Sequence, residues 1–99
     1  MELIETPYLL GEKSKHVQKA LSFEKTKVVN IQLQAGENIP EHDSVTDVLI
    51  IVRSGRVSFV VEDQVVEVTP EKILHMQPKE KHSLTATEAS DLLVLQIMP

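Results

Sequence analysis

Apolar and polar residues alternate along most of this chain with a period of two, and valine, isoleucine and threonine fill the alternating runs. Residues 26–34 are an example, with Val29, Ile31 and Leu33 on one parity and Asn30, Gln32 and Gln34 on the other. Successive side chains of a strand point to opposite faces of a sheet, so this run predicts a half-buried strand. Residues 47–53 are apolar on both parities, which is typical of a strand covered on both sides.

Five further runs continue this pattern and are bounded by turn residues. The additional predicted strands span residues 56–62, 64–68, 72–77, 82–88 and 91–98. Turns are predicted at Gly36, Pro40, Ser54-Gly55, Asp63, Pro70 and residues 78–80. The two runs on either side of Asp63 indicate a hairpin. Short strands at this regular spacing predict an all-β fold, a single antiparallel jelly-roll barrel.

The N-terminal residues carry a mixed signal. Residues 11–21 fit either a short helix or a strand, and Val17, Leu21 and Phe23 lie at alternate positions. We expect residues 1–25 to pack on the barrel or on a partner subunit, and residues 26–99 to form the barrel. A chain of 99 residues has a modest core and open sheet edges, which favours a homodimer. The alternative is that this segment folds back on its own barrel in a monomer.

Composition narrows the classes of function. The net charge of −5 comes without a basic cluster, which makes nucleic acid an unexpected partner. The absence of cysteine excludes disulfides and thiolate metal sites. No apolar run reaches membrane-spanning length, so no membrane partner is expected. The N-terminus is too short and acidic for a secretory signal, and we therefore expect a cytoplasmic protein.

Two segments that carry a histidine have the spacing of a known pair of motifs. Gly36 is followed after five residues by His42, and Gly55 lies thirteen residues beyond that histidine. Residues 78–82, Pro-Lys-Glu-Lys-His, lead into a second strand that carries a histidine. These segments resemble the first and second motifs of the cupins, a superfamily of small β-barrel proteins. The resemblance covers about residues 26–98 and implies the same jelly-roll barrel.

The resemblance also implies a metal site that this chain has partly lost. Cupins usually bind a divalent metal through two histidines and a glutamate of the first motif and a histidine of the second. Position by position, His42 and His82 remain as metal ligands, whereas Ser44 and Val48 replace the second histidine and the glutamate. Catalytic zinc and non-haem iron usually have three protein ligands. We therefore expect no certain cofactor, with a weakly bound divalent metal as the remaining possibility.

The retained histidines predict a binding function. His82 shares its parity with Leu84, which places it inside the barrel. We predict that the barrel pocket binds a small polar or anionic molecule through His42, Ser44, Val48 and His82, with Ser44 donating and Val48 forming an apolar wall. An alternative is that both histidines are only polar groups satisfied by water or by each other.

Two other classes of function stay open. A metal-dependent cupin enzyme, of the dioxygenase, isomerase or decarboxylase type, would need a further ligand such as Asp47 or His75. Alternation directs Asp47 away from the face that Val48 enters, and it places His75 on the outer face. The remaining class is a dimeric assembly module without a ligand. The sequence makes no prediction about catalysis.

Overall fold

The computed structural model describes all 99 residues and contains nine β-strands and no helix. The strands are β1 (Lys15–Phe23), β2 (Thr26–Leu33), β3 (Asn38–His42), β4 (Asp47–Ser54), β5 (Val57–Val61), β6 (Gln64–Val68), β7 (Ile73–Met76), β8 (His82–Ala86) and β9 (Ser90–Ile97). With no helix in the chain, no helical segment can span a membrane.

The strands form two antiparallel sheets that face each other. One sheet has five strands in the order β1-β2-β9-β4-β7, and the other has four in the order β3-β8-β5-β6. Successive strands change sheet at several points, as in a jelly roll. The predicted all-β jelly-roll fold is therefore confirmed.

The core lies between the two sheets and is built from the inward parity of each strand. It contains thirteen buried apolar residues, among which Leu33, Phe59 and Leu92 have no exposed surface. In β4, Val48, Ile50 and Val52 face this core. The inner and outer parities predicted from the sequence are those that the sheets display.

The strand β2 differs from the expected half-buried strand, because its C-terminal half, residues 30–33, is buried on both faces. Asn30 and Gln32 lie on the outer parity and have no exposed surface. The N-terminal segment contacts Gln32, whose amide donates to the Pro7 carbonyl at 2.7 Å and accepts from the Leu9 N–H at 2.8 Å, and the Asn30 amide donates to the Asp91 carboxylate at 2.7 Å. The prediction of a solvent-facing polar side was wrong, because alternation does not reveal what a distant segment covers.

The ambiguous N-terminal residues form a strand. β1 pairs with β2 of the same chain in antiparallel register, with an irregularity between Lys19 and Leu21. The sheet therefore begins before residue 26. As an edge strand, β1 leaves Val17 and Phe23 each 56% exposed.

The short edge strand β3 was missed by the sequence analysis, which predicted only turns around Pro40. β3 pairs with β8, and its register shifts between Ile39 and His42. Proline lacks an N–H and is tolerated on an edge strand or beside a bulge. Residue propensities therefore do not indicate a strand that contains Pro40. The predicted hairpin at Asp63 is present, with Glu62 and Asp63 both at positive φ (45° and 71°), as in a type I′ turn.

Candidate ligand-binding cavity

A cavity of about 110 Å³ lies between the two sheets. Eleven residues line it, eight of them hydrophobic. They are Val29, Ile31, Ile39, His42, Val48, Ile50, Phe59, His82, Leu84, Val94 and Gln96. The walls are thus apolar, and the polar groups are confined to two imidazoles and one amide.

The two histidines come from neighbouring strands of the four-stranded sheet. His42 ends β3 and is opposite His82, the first residue of β8. Their ring centroids are 4.2 Å apart, with an interplanar angle of 64°. His82 is only 5% exposed, whereas His42 is exposed, so His42 lies where the cavity meets solvent.

Backbone hydrogen bonds fix how these rings present their nitrogen atoms. Nδ1 of His42 lies 2.9 Å from the Pro40 carbonyl oxygen, and Nδ1 of His82 lies 3.0 Å from the Glu80 carbonyl oxygen. A carbonyl oxygen only accepts, so these bonds assign the proton of each neutral ring to Nδ1. Nε2 of each ring is then a hydrogen-bond acceptor with no partner in the chain.

Gln96 is the third polar group of the cavity, and the sequence analysis did not identify it. In β9 it shares its inward parity with Leu92 and Val94. The Gln96 side chain makes no hydrogen bond within the protein. Every fully buried polar side-chain atom of the protein does have a partner, so the Gln96 amide is not fully buried and is open to the cavity or its mouth. In the sequence, Gln96 is the polar residue that continues the alternating apolar row of Leu92 and Val94.

The predicted site residues are only partly brought together. Val48, 2% exposed, lines the cavity beside His42 and His82. Ser44 lies in the loop between β3 and β4 and is not part of the lining. Its hydroxyl is 2.6 Å from the Thr46 hydroxyl and accepts from the Thr46 N–H at 3.2 Å.

The two side chains considered as additional metal ligands lie on the other side of the sheet. Asp47 and His75 pair on the outer face, with the Asp47 carboxylate oxygen 2.8 Å from His75 Nε2. Both side chains are well exposed. Neither can reach the cavity without a change of strand register, as alternation predicted for Asp47.

The donors present do not fit a catalytic metal centre. No group of three or more His, Cys, Asp or Glu side chains is arranged to hold a metal ion. The cavity offers Nε2 of His42 and of His82, and an apolar Val48 stands in the wall. Catalytic zinc usually needs three protein ligands and non-haem iron two histidines with a carboxylate.

Solved structures of other proteins share this architecture. An RmlC-like cupin family protein with a double-stranded β-helix fold from Methanocaldococcus jannaschii matches with a TM-score of 0.85 and 20% identity, over 99% of this chain and 91% of that one. A conserved protein of unknown function from Streptococcus pyogenes matches with 0.83 and 18%, over 100% and 91%. A cupin superfamily protein from Desulfitobacterium hafniense matches with 0.81 and 16%, over 89% and 81%.

These similarities establish the fold of the protein. The chain has the cupin fold, as its two sequence motifs implied. No protein-family model and no curated protein matches the sequence. At these identities a shared fold does not carry a shared activity, because function depends on the residues of the pocket.

Proposed function

We propose that this protein binds a small polar or anionic molecule in the cavity between its sheets. The observation that carries the proposal is the convergence of three polar groups without intramolecular partners, His42 Nε2, His82 Nε2 and the Gln96 amide, on an apolar cavity. None of these atoms is a fully buried atom without a partner, so each is accessible to water or to a ligand that can pair with it. A few polar groups in an apolar wall are also the usual means of recognition in small-molecule sites.

The size of the cavity limits the ligand. An apolar cavity of about 150 Å³ binds benzene. A cavity of about 110 Å³ therefore encloses about four to six non-hydrogen atoms, and a larger ligand extends past His42 into solvent. The two Nε2 acceptors favour a hydroxyl or N–H donor on the ligand, while the Gln96 amide can donate to an oxygen atom.

The proposal is tested by adding small alcohols, amides and carboxylates to the protein and measuring amide chemical shifts and thermal stability. We expect saturable shifts at residues of β8 and β9 and a raised melting temperature, because a ligand that binds only the native state stabilises it. His82→Leu removes an acceptor and abolishes the response, whereas His75→Leu, on the outer face, retains it. Equal responses of both variants would contradict the proposal.

A weakly bound divalent metal on His42 and His82 is a second candidate. The Nδ1 bonds to backbone carbonyls orient both rings as in metal-ligating histidines. We expect that elemental analysis of protein purified without chelator finds less than stoichiometric metal. Near-unit occupancy would contradict this and favour the metal-dependent enzyme. Val48→Glu adds a carboxylate to the same cavity and should raise metal affinity, because it supplies a third protein ligand.

We also propose that the chain forms a homodimer through the outer face of the five-stranded sheet. One row of side chains crosses all five strands of that face. In strand order it is Leu21, Val28, Leu95, Leu49 and His75. Phe23 and Ile73 extend the apolar surface and are 56% and 70% exposed. A second copy of the same face would cover these residues, which a monomer leaves in water.

Light scattering of full-length protein tests the dimer. We expect the mass of two chains at about 50 μM, a concentration at which an interface of standard size is populated. Phe23→Glu should yield monomer, while Val65→Glu, at a position 71% exposed on the other sheet, should leave the mass unchanged. A monomeric wild type would contradict the proposal. A dimer that showed no ligand response would favour the assembly module.

A further inference from the structure

A lysine lies at the edge of the cavity on the same face as the residues that line it. Lys27 is directly opposite Gln96, and Gln96 is directly opposite Val48, in the registers of β2, β9 and β4. Directly paired residues share a face with Cβ atoms about 5 Å apart. The next two residues of the same parity in β2, Val29 and Ile31, line the cavity. The Lys27 side chain therefore leaves β2 on the inner face, and Lys27 is the residue of that parity next to Val29, which lines the cavity.

This lysine lines a second hollow, which shares the residue Gln96 with the cavity. The groove has a volume of about 280 Å³, and only one of its eight lining residues is hydrophobic. Its lining consists of Ser22, Glu24, Lys25, Thr26, Lys27, Thr46, Gln96 and Met98. The three ion pairs of the protein involve Arg53, Arg56 and His75, so the Lys27 ammonium has no carboxylate partner. Lys27 is thus a cation without an ion-pair partner in the groove next to the cavity.

We propose that the ligand is a short hydroxycarboxylate, which deepens the proposed function and rests on it. Its hydroxyl donates to Nε2 of a cavity histidine, and its carbon chain contacts the apolar walls. Its carboxylate lies at the mouth, where the Lys27 ammonium and the Gln96 amide donate to it. Lys27 is then the residue that selects an acid over the corresponding neutral alcohol.

The dimensions of the barrel agree with a short ligand. Facing sheets are separated by about 10 Å, and the side chains on both sides occupy much of that distance. His82 belongs to one sheet and Lys27 to the other. A ligand chain of about four carbons fits the cavity volume of about 110 Å³. Together with the flexible lysine side chain, it spans the gap that remains between the sheets.

Two compounds with the same carbon skeleton separate this inference from the proposed function. In 1,3-butanediol a hydroxymethyl group replaces the carboxylate of 3-hydroxybutyrate, and both keep the hydroxyl. Each is titrated into full-length protein, and dissociation constants are taken from amide chemical shifts. We expect the acid to bind at least about fivefold more tightly than the diol, the effect of one contact between opposite charges in water.

Lys27→Met should abolish the preference for the acid, so that acid and diol bind with similar dissociation constants. Lys72→Met removes the same charge from a turn that lines no cavity and should preserve the preference. About 1 M salt should reduce the preference of the wild type, because screening acts on exposed charges.

The outcomes distinguish the two claims. Equal affinity of acid and diol, or a preference that survives in Lys27→Met, overturns the hydroxycarboxylate inference while binding of the diol retains the proposed function. If neither compound binds the wild type, the inference is overturned. If the small alcohols, amides and carboxylates named above also fail to bind, the proposed function is overturned as well.

Discussion

Two polar clusters lie on opposite faces of the five-stranded sheet, and only one of them is satisfied by the protein itself. The latch cluster, on the outer face, consists of Asn30, Gln32, Arg53 and Asp91. The cavity cluster, on the inside, consists of His42, His82 and Gln96. The first holds the N-terminal segment in place, and the second lines the cavity between the sheets.

Each polar group of the latch cluster has a partner of suitable geometry. Asp91 accepts from Arg53 at 2.8 Å and from the Asn30 amide at 2.7 Å. The Asn30 carbonyl oxygen accepts from Gln32 at 3.0 Å, and Gln32 binds the backbone of residues 7–9. A closed network of this kind stabilises one arrangement of the chain, since losing any member leaves others buried and unpaired.

The comparison gives a criterion for function. Buried polar residues that pair with each other serve the fold, whereas those that face a cavity without partners lower stability and are available to a ligand. A glutamine occurs in both clusters, so the residue type alone does not separate them. The pairing does.

The largest effect is expected beside the latch cluster, at Gly55. This glycine has φ = 92°, and a Cβ there would lie 2.3 Å from the Ser90 hydroxyl and 2.4 Å from the Ala89 carbonyl oxygen. Gly55→Ala should lower the free energy of unfolding by about 3 kcal/mol, measured by urea denaturation. Gly36→Ala, at φ = 89° with nothing within 4 Å, should cost about 1 kcal/mol. Equal losses would contradict the predicted clash.

Breaking the latch cluster should be the next most harmful change. Asp91→Ala leaves one N–H of the buried Asn30 amide unpaired, while the other still donates to the Leu92 carbonyl, and it leaves Arg53 without its carboxylate. We expect a loss of about 2 kcal/mol because Arg53 is partly solvated. Hydrogen exchange at the Leu9 amide should accelerate as the N-terminal segment loosens. The exposed Glu71→Ala is the matched control, and a loss as small as that of the control would mean that the latch cluster contributes little.

The cavity cluster should respond in the opposite direction. Gln96→Leu removes an amide without intramolecular partners and extends the apolar stripe of β9, so stability should stay equal or rise by about 0.5–1 kcal/mol. The same variant should lose affinity for small polar ligands. A loss of stability comparable to that of Asp91→Ala would show that Gln96 serves the fold, and would remove the contrast between the clusters.

The smallest effect is expected at the ion pair on the outer face. Asp47→Ala breaks a contact between side chains that are 37% and 53% exposed, so the free energy of unfolding should change by no more than about 0.5 kcal/mol. Ligand and metal binding in the cavity should be unaffected. A fall in metal affinity in this variant would instead identify Asp47 as the missing carboxylate ligand of the metal-dependent alternative.

Much of the fold could be predicted because strand alternation is a local property. The strands after residue 46, the hairpin at Asp63 and the inward direction of His82 and Val48 all follow from a period of two and from turn residues. The edge strand β3 could not be predicted, since Pro40 interrupts its local pattern. Ser44 was predicted by transferring a motif position, whereas its loop turns the hydroxyl toward Thr46.

Local alternation is enough to tell which residues share a face, because that depends only on neighbours along one strand. What each face contacts depends on how the strands and loops pack together. Asn30 and Gln32 have the pattern of a solvent-exposed face, yet Gln32 binds the backbone of residues 7–9 and Asn30 binds Asp91. The register of β3 with β8 brings His42 to His82, and that of β2 with β9 brings Lys27 to Gln96. These are contacts between residues far apart in the chain, and a local period carries no information about them.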